Sequence, residues 1–149
     1  LLFNDAEQLA AAKAYRKQMN YIPFLQFMRI EPDLKPLLLK LRPVYKTAIA
    51  TNRTDTMSRV LEEHDLVQLF DLVVTALDVV HPKPHPEQLE QILAHFDVQS
   101  HQAIYIGDSG LDKAAANAAD VAFIAYSDDA LEADFHITRL REIEDILPI

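Results

Sequence analysis

The chain contains no cysteine, and only two glycines among 149 residues. Without cysteine there is no disulfide framework, no thiolate nucleophile and no Cys-based zinc site. Positive charge is also scarce: 14 Lys and Arg face 23 Asp and Glu, for a formal net charge of -9. No Lys/Arg cluster interrupts this acidity, which argues against a nucleic-acid or anionic-membrane surface, since such partners need a positive patch to release counterions. A small anionic substrate stays open where a metal and one or two cations offset the charge locally. No apolar run is long enough to span a bilayer and no signal-peptide pattern is present, so a soluble, cytoplasmic protein is the expectation.

Half of the residues are apolar, enough for one α/β core with a fragment of a further element. Residues 5–19 are rich in Ala, Glu, Gln, Lys and Leu with Asp5 as an N-cap, and predict a helix. Tyr21 to Pro32 carries two prolines and an aromatic-apolar cluster, and reads as a connector and boundary. Helices are predicted over 33–42, 54–64, 86–96, 111–119 and 139–147, and strands over 44–50, 72–75, 103–106, 121–125 and 135–137. Strands alternating with helices imply crossover connections and a parallel sheet covered on both faces. Ligands bind such a sheet beyond the carboxyl ends of its strands, where Thr51, Asn52, Lys83, Asp108 and Asp112 all fall.

Both glycines lie in one nonapeptide, Ile104-Tyr105-Ile106-Gly107-Asp108-Ser109-Gly110-Leu111-Asp112. Average composition would scatter roughly ten over this length, so their confinement predicts a turn that needs backbone freedom around an ion or phosphate. Asp108 at the strand end and Asp112 on the next helical turn suit a hard cation with oxygen ligands, Mg²⁺ above all. Ser109 and Asp112 also form an S-x-x-D pattern in which Asp112 would merely support the helix start. Thr51 and Asn52 offer a hydroxyl and backbone N–H groups for a phosphate oxygen, against the alternative of an N-cap arrangement of Asn52 with Asp55. Arg53 is open between anion contact and solvation.

His81-Pro82-Lys83-Pro84-His85-Pro86 restricts the backbone around one lysine, which lowers the cost of aiming it as a point charge at phosphate. The segment is too short for a polyproline ligand. His81 and His85 have H-x-x-x-H spacing, but the prolines preclude the helix that would put them on one face.

In order, Thr51 after a strand, Lys83-Pro84-His85-Pro86-Glu87, and Gly107-Asp108-Ser109 through Asp112 resemble motifs II, III and IV of the haloacid dehalogenase (HAD) superfamily. The phosphoglycolate-phosphatase-like and β-phosphoglucomutase-like hydrolases with a helical cap are the most similar, and the resemblance runs from about Pro32 onward. It implies a Rossmannoid parallel sheet with helices on both faces, and a Mg²⁺-dependent phosphohydrolase of a small phosphorylated metabolite. Thr51 would bond the transferring phosphoryl group with help from the Asn52 backbone. Lys83 would balance charge, and Asp108 would bind Mg²⁺ with Asp112 in support. The family's nucleophile, the aspartate of a D-x-D-G-T segment that becomes an aspartyl-phosphate, has no counterpart here: Leu1 to Ala6 places Asn4 and Ala6 where aspartates belong. The expected organisation is therefore a cap-derived helix and connector over 1–31 and a HAD-like core over 32–149 that lacks its first strand, inactive by itself. A non-catalytic phosphate- or partner-binding protein on the same scaffold and a phosphomutase are the alternatives. A receiver-like domain is disfavoured because its acidic pair would precede the Thr.

Overall fold

The computed structural model describes residue 11 and residues 22–148. The helix expected over 5–19 lies outside the described residues, apart from residue 11, which is helical.

Within the described residues, a 3-10 turn over Ile22–Phe27 leads into helix α1 (Leu34–Leu41), strand β1 (Ala48–Ala50), helix α2 (Met57–Glu63) and strand β2 (Leu72–Val74). Helix α3 (Glu87–Phe96), strand β3 (Ile104–Gly107), helix α4 (Gly110–Ala118) and strands β4 (Ala122–Tyr126) and β5 (Phe135–Ile137) follow. All pairings are parallel: β1 with β2, and β3-β4-β5 in that order. The expected α/β architecture with parallel strands and crossover helices is thus observed. Between β1 and β3 the described residues form no backbone ladder.

The alternation of side chains along each strand places helices on both faces. On β4, Phe123 and Ala125 pack with Leu89 of α3 and with Ala115 and Ala116 of α4, while Ile124 points the other way, onto Leu37 and Leu41 of α1 and onto Ile143. Phe123, Ile124 and Ile143 are all but fully buried, each worth about 1.5–3 kcal/mol relative to exposure. The small Ala115 and Ala116 let α4 lie close against the strands. A further cluster of Leu25, Met57, Val60, Leu61 and Leu66 closes over Ile49 and Val73.

Three sequence-based expectations are corrected. The first strand does not run from Val44: the Val44 and Tyr45 amides bond back to Leu41, and Val44 is exposed. Thr47 is then clamped to Leu69 and Asp71 through its hydroxyl and amide before the ladder starts at Ala48. The final helix is a 3-10 helix over Leu140–Asp145, with Glu142 accepting the Arg139 amide at its start and Pro148 following its end. Neither glycine has positive φ; the left-handed positions that end helices are filled instead by Asp65, Asp97 and Asp120, at φ 51°, 52° and 56°.

Candidate functional site

Lys83 draws the site together. The loop after β2 carries it back across the strand ends, where its ammonium donates to the Ala50 carbonyl at 2.8 Å, the Tyr105 hydroxyl at 2.7 Å and the Asp112 carboxylate at 2.7 Å. Three donors meet three acceptors, so a charge whose side chain is only 9% exposed is fully satisfied. The Tyr105 hydroxyl in turn donates to the same Asp112 oxygen at 2.8 Å. The ends of β1 and β3, which share no ladder, are bridged by this side-chain network.

Local structure sets up each member. Ser109 is the extended N-cap of α4, its hydroxyl oxygen accepting from the Asp112 amide at 3.3 Å, and its O–H donates to the second Asp112 oxygen. The capping expectation for Ser109 is thus observed, and both oxygens of Asp112 are engaged. Burial alone would raise the Asp112 carboxyl pKa; hydrogen bonds from Lys83, Ser109 and Tyr105, with the Lys83 charge, outweigh it and hold the group below the usual carboxylate range. Burial first, and then the Asp112 carboxylate, push the Tyr105 phenol far above its ordinary range.

Thr51 follows β1, its amide bonded to Val74. Its hydroxyl oxygen accepts the Arg53 amide at 3.1 Å, which leaves the hydroxyl hydrogen free to donate. The Asn52 amide nitrogen donates to the Lys83 carbonyl at 2.9 Å, tying two loops, so Asn52 is not an N-cap; Thr56 occupies that position without a side-chain bond. Arg53 is not brought to the rim. Its guanidinium turns away to the Thr56 hydroxyl and the Met28 sulfur.

Two contributors were not singled out from the sequence. Gln88 is fully buried; its amide donates to the carbonyls of Thr51 at 2.8 Å and Val74 at 3.2 Å and accepts the Lys83 amide at 3.3 Å. It fixes the ends of β1 and β2 and the lysine loop together, yet a Gln at a helix start carries no signal. Tyr105 did leave one, because a phenol amid aliphatic strand residues needs a polar partner.

Thr51, Lys83, Asp108 and Asp112 line a cavity of about 320 Å³ together with Ala50 and Gly107. Asp108 is exposed at its edge, and among the described residues its carboxylate has no hydrogen-bond or ion-pair partner. An unpaired carboxylate over a polar cavity suits one position in the octahedral oxygen shell of Mg²⁺, which commonly retains several waters. Asp112 differs in that three of its acceptor positions are taken by Lys83, Tyr105 and Ser109.

The family described as haloacid dehalogenase-like hydrolase matches residues 3–126. Pyrophosphatase PpaX of Bacillus cereus is 34% identical over a 111-residue alignment that covers 70% of this chain and 51% of that protein. The chain thus spans about half the length of the curated relatives it matches. A HAD-superfamily hydrolase of subfamily IA from Geobacter sulfurreducens has a TM-score of 0.84 at 34% identity, covering 99% of this chain and 77% of that one. A HAD phosphatase from Thermococcus onnurineus has a TM-score of 0.78 at 25% identity, over 87% of this chain and 65% of that one. Among the described residues no helix is long and apolar enough to cross a membrane.

Proposed function

The chain belongs to the haloacid dehalogenase-like hydrolase family, and on that premise we propose that its rim is part of a Mg²⁺-dependent phosphohydrolase site for a small phosphate-bearing metabolite. The observation that carries this reading is the meeting of Lys83, Asp112 and the open Asp108 carboxylate over one polar cavity. A monoester of the phosphoglycolate class is the favoured substrate. The relatives named pyrophosphatase add pyrophosphate to the compounds to be tested.

Thr51 donates its free hydroxyl hydrogen to a phosphoryl oxygen, held in place by the Arg53 amide. Lys83, fixed by Ala50, Tyr105 and Asp112, supplies positive charge without reorganisation when the dianionic phosphoryl group enters. Asp108 would hold the Mg²⁺, which stabilises charge on the phosphoryl oxygens. Asn52 and Gln88 position the loops and Arg53 serves the fold. No D-x-D-G-T segment occurs in these 149 residues, and the aspartate that attacks phosphorus in this reading is not among them. In this reading the chain alone does not turn over substrate.

The test is hydrolysis of a panel of phosphate monoesters and pyrophosphate by the full-length protein with Mg²⁺. Phosphate release from at least one member, abolished by Asp108→Asn, is expected. No release from any member, or release untouched by Asp108→Asn, overturns the proposal.

A further inference from the structure

The lysine loop has an outer side that the phosphate site does not use. There Glu87, on the first residue of α3, turns its carboxylate back to accept the amides of Val80 and His81, both at 2.8 Å. One of its oxygens also lies 3.1 Å from His81 Nδ1. The Glu87 amide donates to His85 Nδ1 at 3.3 Å, and the two imidazole rings stand 4.8 Å apart between centroids. The prolines do exclude a helix here, but the loop juxtaposes the histidines all the same.

From this geometry we propose that His81, His85 and Glu87 form a mononuclear site for a borderline divalent cation such as Zn²⁺, Co²⁺ or Ni²⁺, separate from the carboxylate rim. One donor atom from each of the three lies within 4.8 Å of the others, and two imidazoles with one carboxylate is a recurrent protein set for such ions. A tetrahedral ion with bonds of about 2.0–2.2 Å holds its ligands about 3.4 Å apart, a closure that two exposed rings reach by side-chain rotation. Glu87 is preorganised: the amides of Val80 and His81 fix its carboxylate in place. Clamping the loop explains the turn of Glu87, and the Glu87 amide seats the His85 ring; what the proposal rests on is that both imidazoles and the carboxylate stand within reach of one ion. Nitrogen donors select against Mg²⁺, and none of the three residues lines the rim cavity, so the two sites would load independently. Because the proposed site closes around Lys83, the cation would clip the lysine loop from outside.

The experiment is equilibrium dialysis of the full-length protein, free of any tag, against Co²⁺ in excess Mg²⁺, with bound Co²⁺ counted by elemental analysis and its visible d–d spectrum recorded. One equivalent with a four- or five-coordinate spectrum is expected, unchanged in Asp108→Asn. Affinity should fall about tenfold or more in His81→Ala and in His85→Ala, the loss that even an outer partner of a metal ligand produces. Both histidines are exposed, and thermal unfolding of the metal-free variants checks that the fold survives. No retained Co²⁺, retention that persists when both histidines are replaced, or retention lost in Asp108→Asn each overturns the assignment.

Discussion

Gly107 and Asp112 approach so closely that a Cβ built on residue 107 would stand 2.4 Å from the Asp112 Cβ and 2.7 Å from its Cγ. No pair of non-bonded carbon atoms tolerates that separation, so the missing side chain at 107 is what lets Asp112 reach back under the strand end to Lys83. Gly110, by contrast, would place a Cβ in open space.

Gly107→Ala therefore forces Asp112 and the start of α4 to move. We expect a loss of about 1–3 kcal/mol in urea unfolding, the cost of overpacking, with disruption of the Lys83 pair. Gly110→Ala should be neutral, or stabilise by up to about 1 kcal/mol through helix propensity. Equal stability of Gly107→Ala and the parent would show that the contact does not constrain the site.

That contrast shows what the sequence disclosed and what it did not. Two glycines in one turn singled out this segment, but what the structure shows at Gly107 is the proximity of a carboxylate rather than a left-handed backbone, which Asp65, Asp97 and Asp120 adopt instead. The strands and helices were legible because apolar period and strand-end polarity are local signals; Val44 was misjudged because its fate depends on turn bonds to Leu41. At the site, spacing put Thr51, Lys83, Asp108 and Asp112 on one rim, as the structure does. Spacing could not say that Asp112 faces Lys83 while Asp108 stays open, nor that Arg53 turns away. Those choices follow from three-dimensional neighbours that one sequence does not reveal.

Tyr105→Phe removes a hydroxyl that stands between Lys83 and Asp112, and is expected to cost about 1.5–3 kcal/mol as a hydrogen bond to a charged group. Because the folded pKa of Tyr105 is raised, its contribution is present below the unfolded value of about 10 and is lost as pH rises beyond it. Urea unfolding between pH 8 and 11, within the range set by that reference value of about 10, should show the parent losing stability more steeply than Tyr105→Phe. Parallel alkaline profiles would contradict a buried, carboxylate-facing phenol.

Asp112→Asn leaves the Lys83 ammonium buried beside a neutral amide, and breaking one side of a buried pair costs about 3–5 kcal/mol. The folded pKa of Asp112 is depressed, so the stability it brings is present above the unfolded value of about 3.9 and disappears as pH falls through the lower folded value. The gap between parent and Asp112→Asn should hence be wide at neutral pH and narrow below about pH 4, where protonation of the parent removes the same charge. A second variant separates stability from function. With Lys83→Met added to Asp112→Asn no buried charge is left unpaired, so much of the loss in urea unfolding should be recovered, since an apolar replacement of a buried pair is often neutral. Hydrolysis by the full-length protein should not recover, because the cation that faces the phosphoryl group is gone. If the double variant regains both stability and turnover, Lys83 is a packing residue and the rim binds phosphate without it.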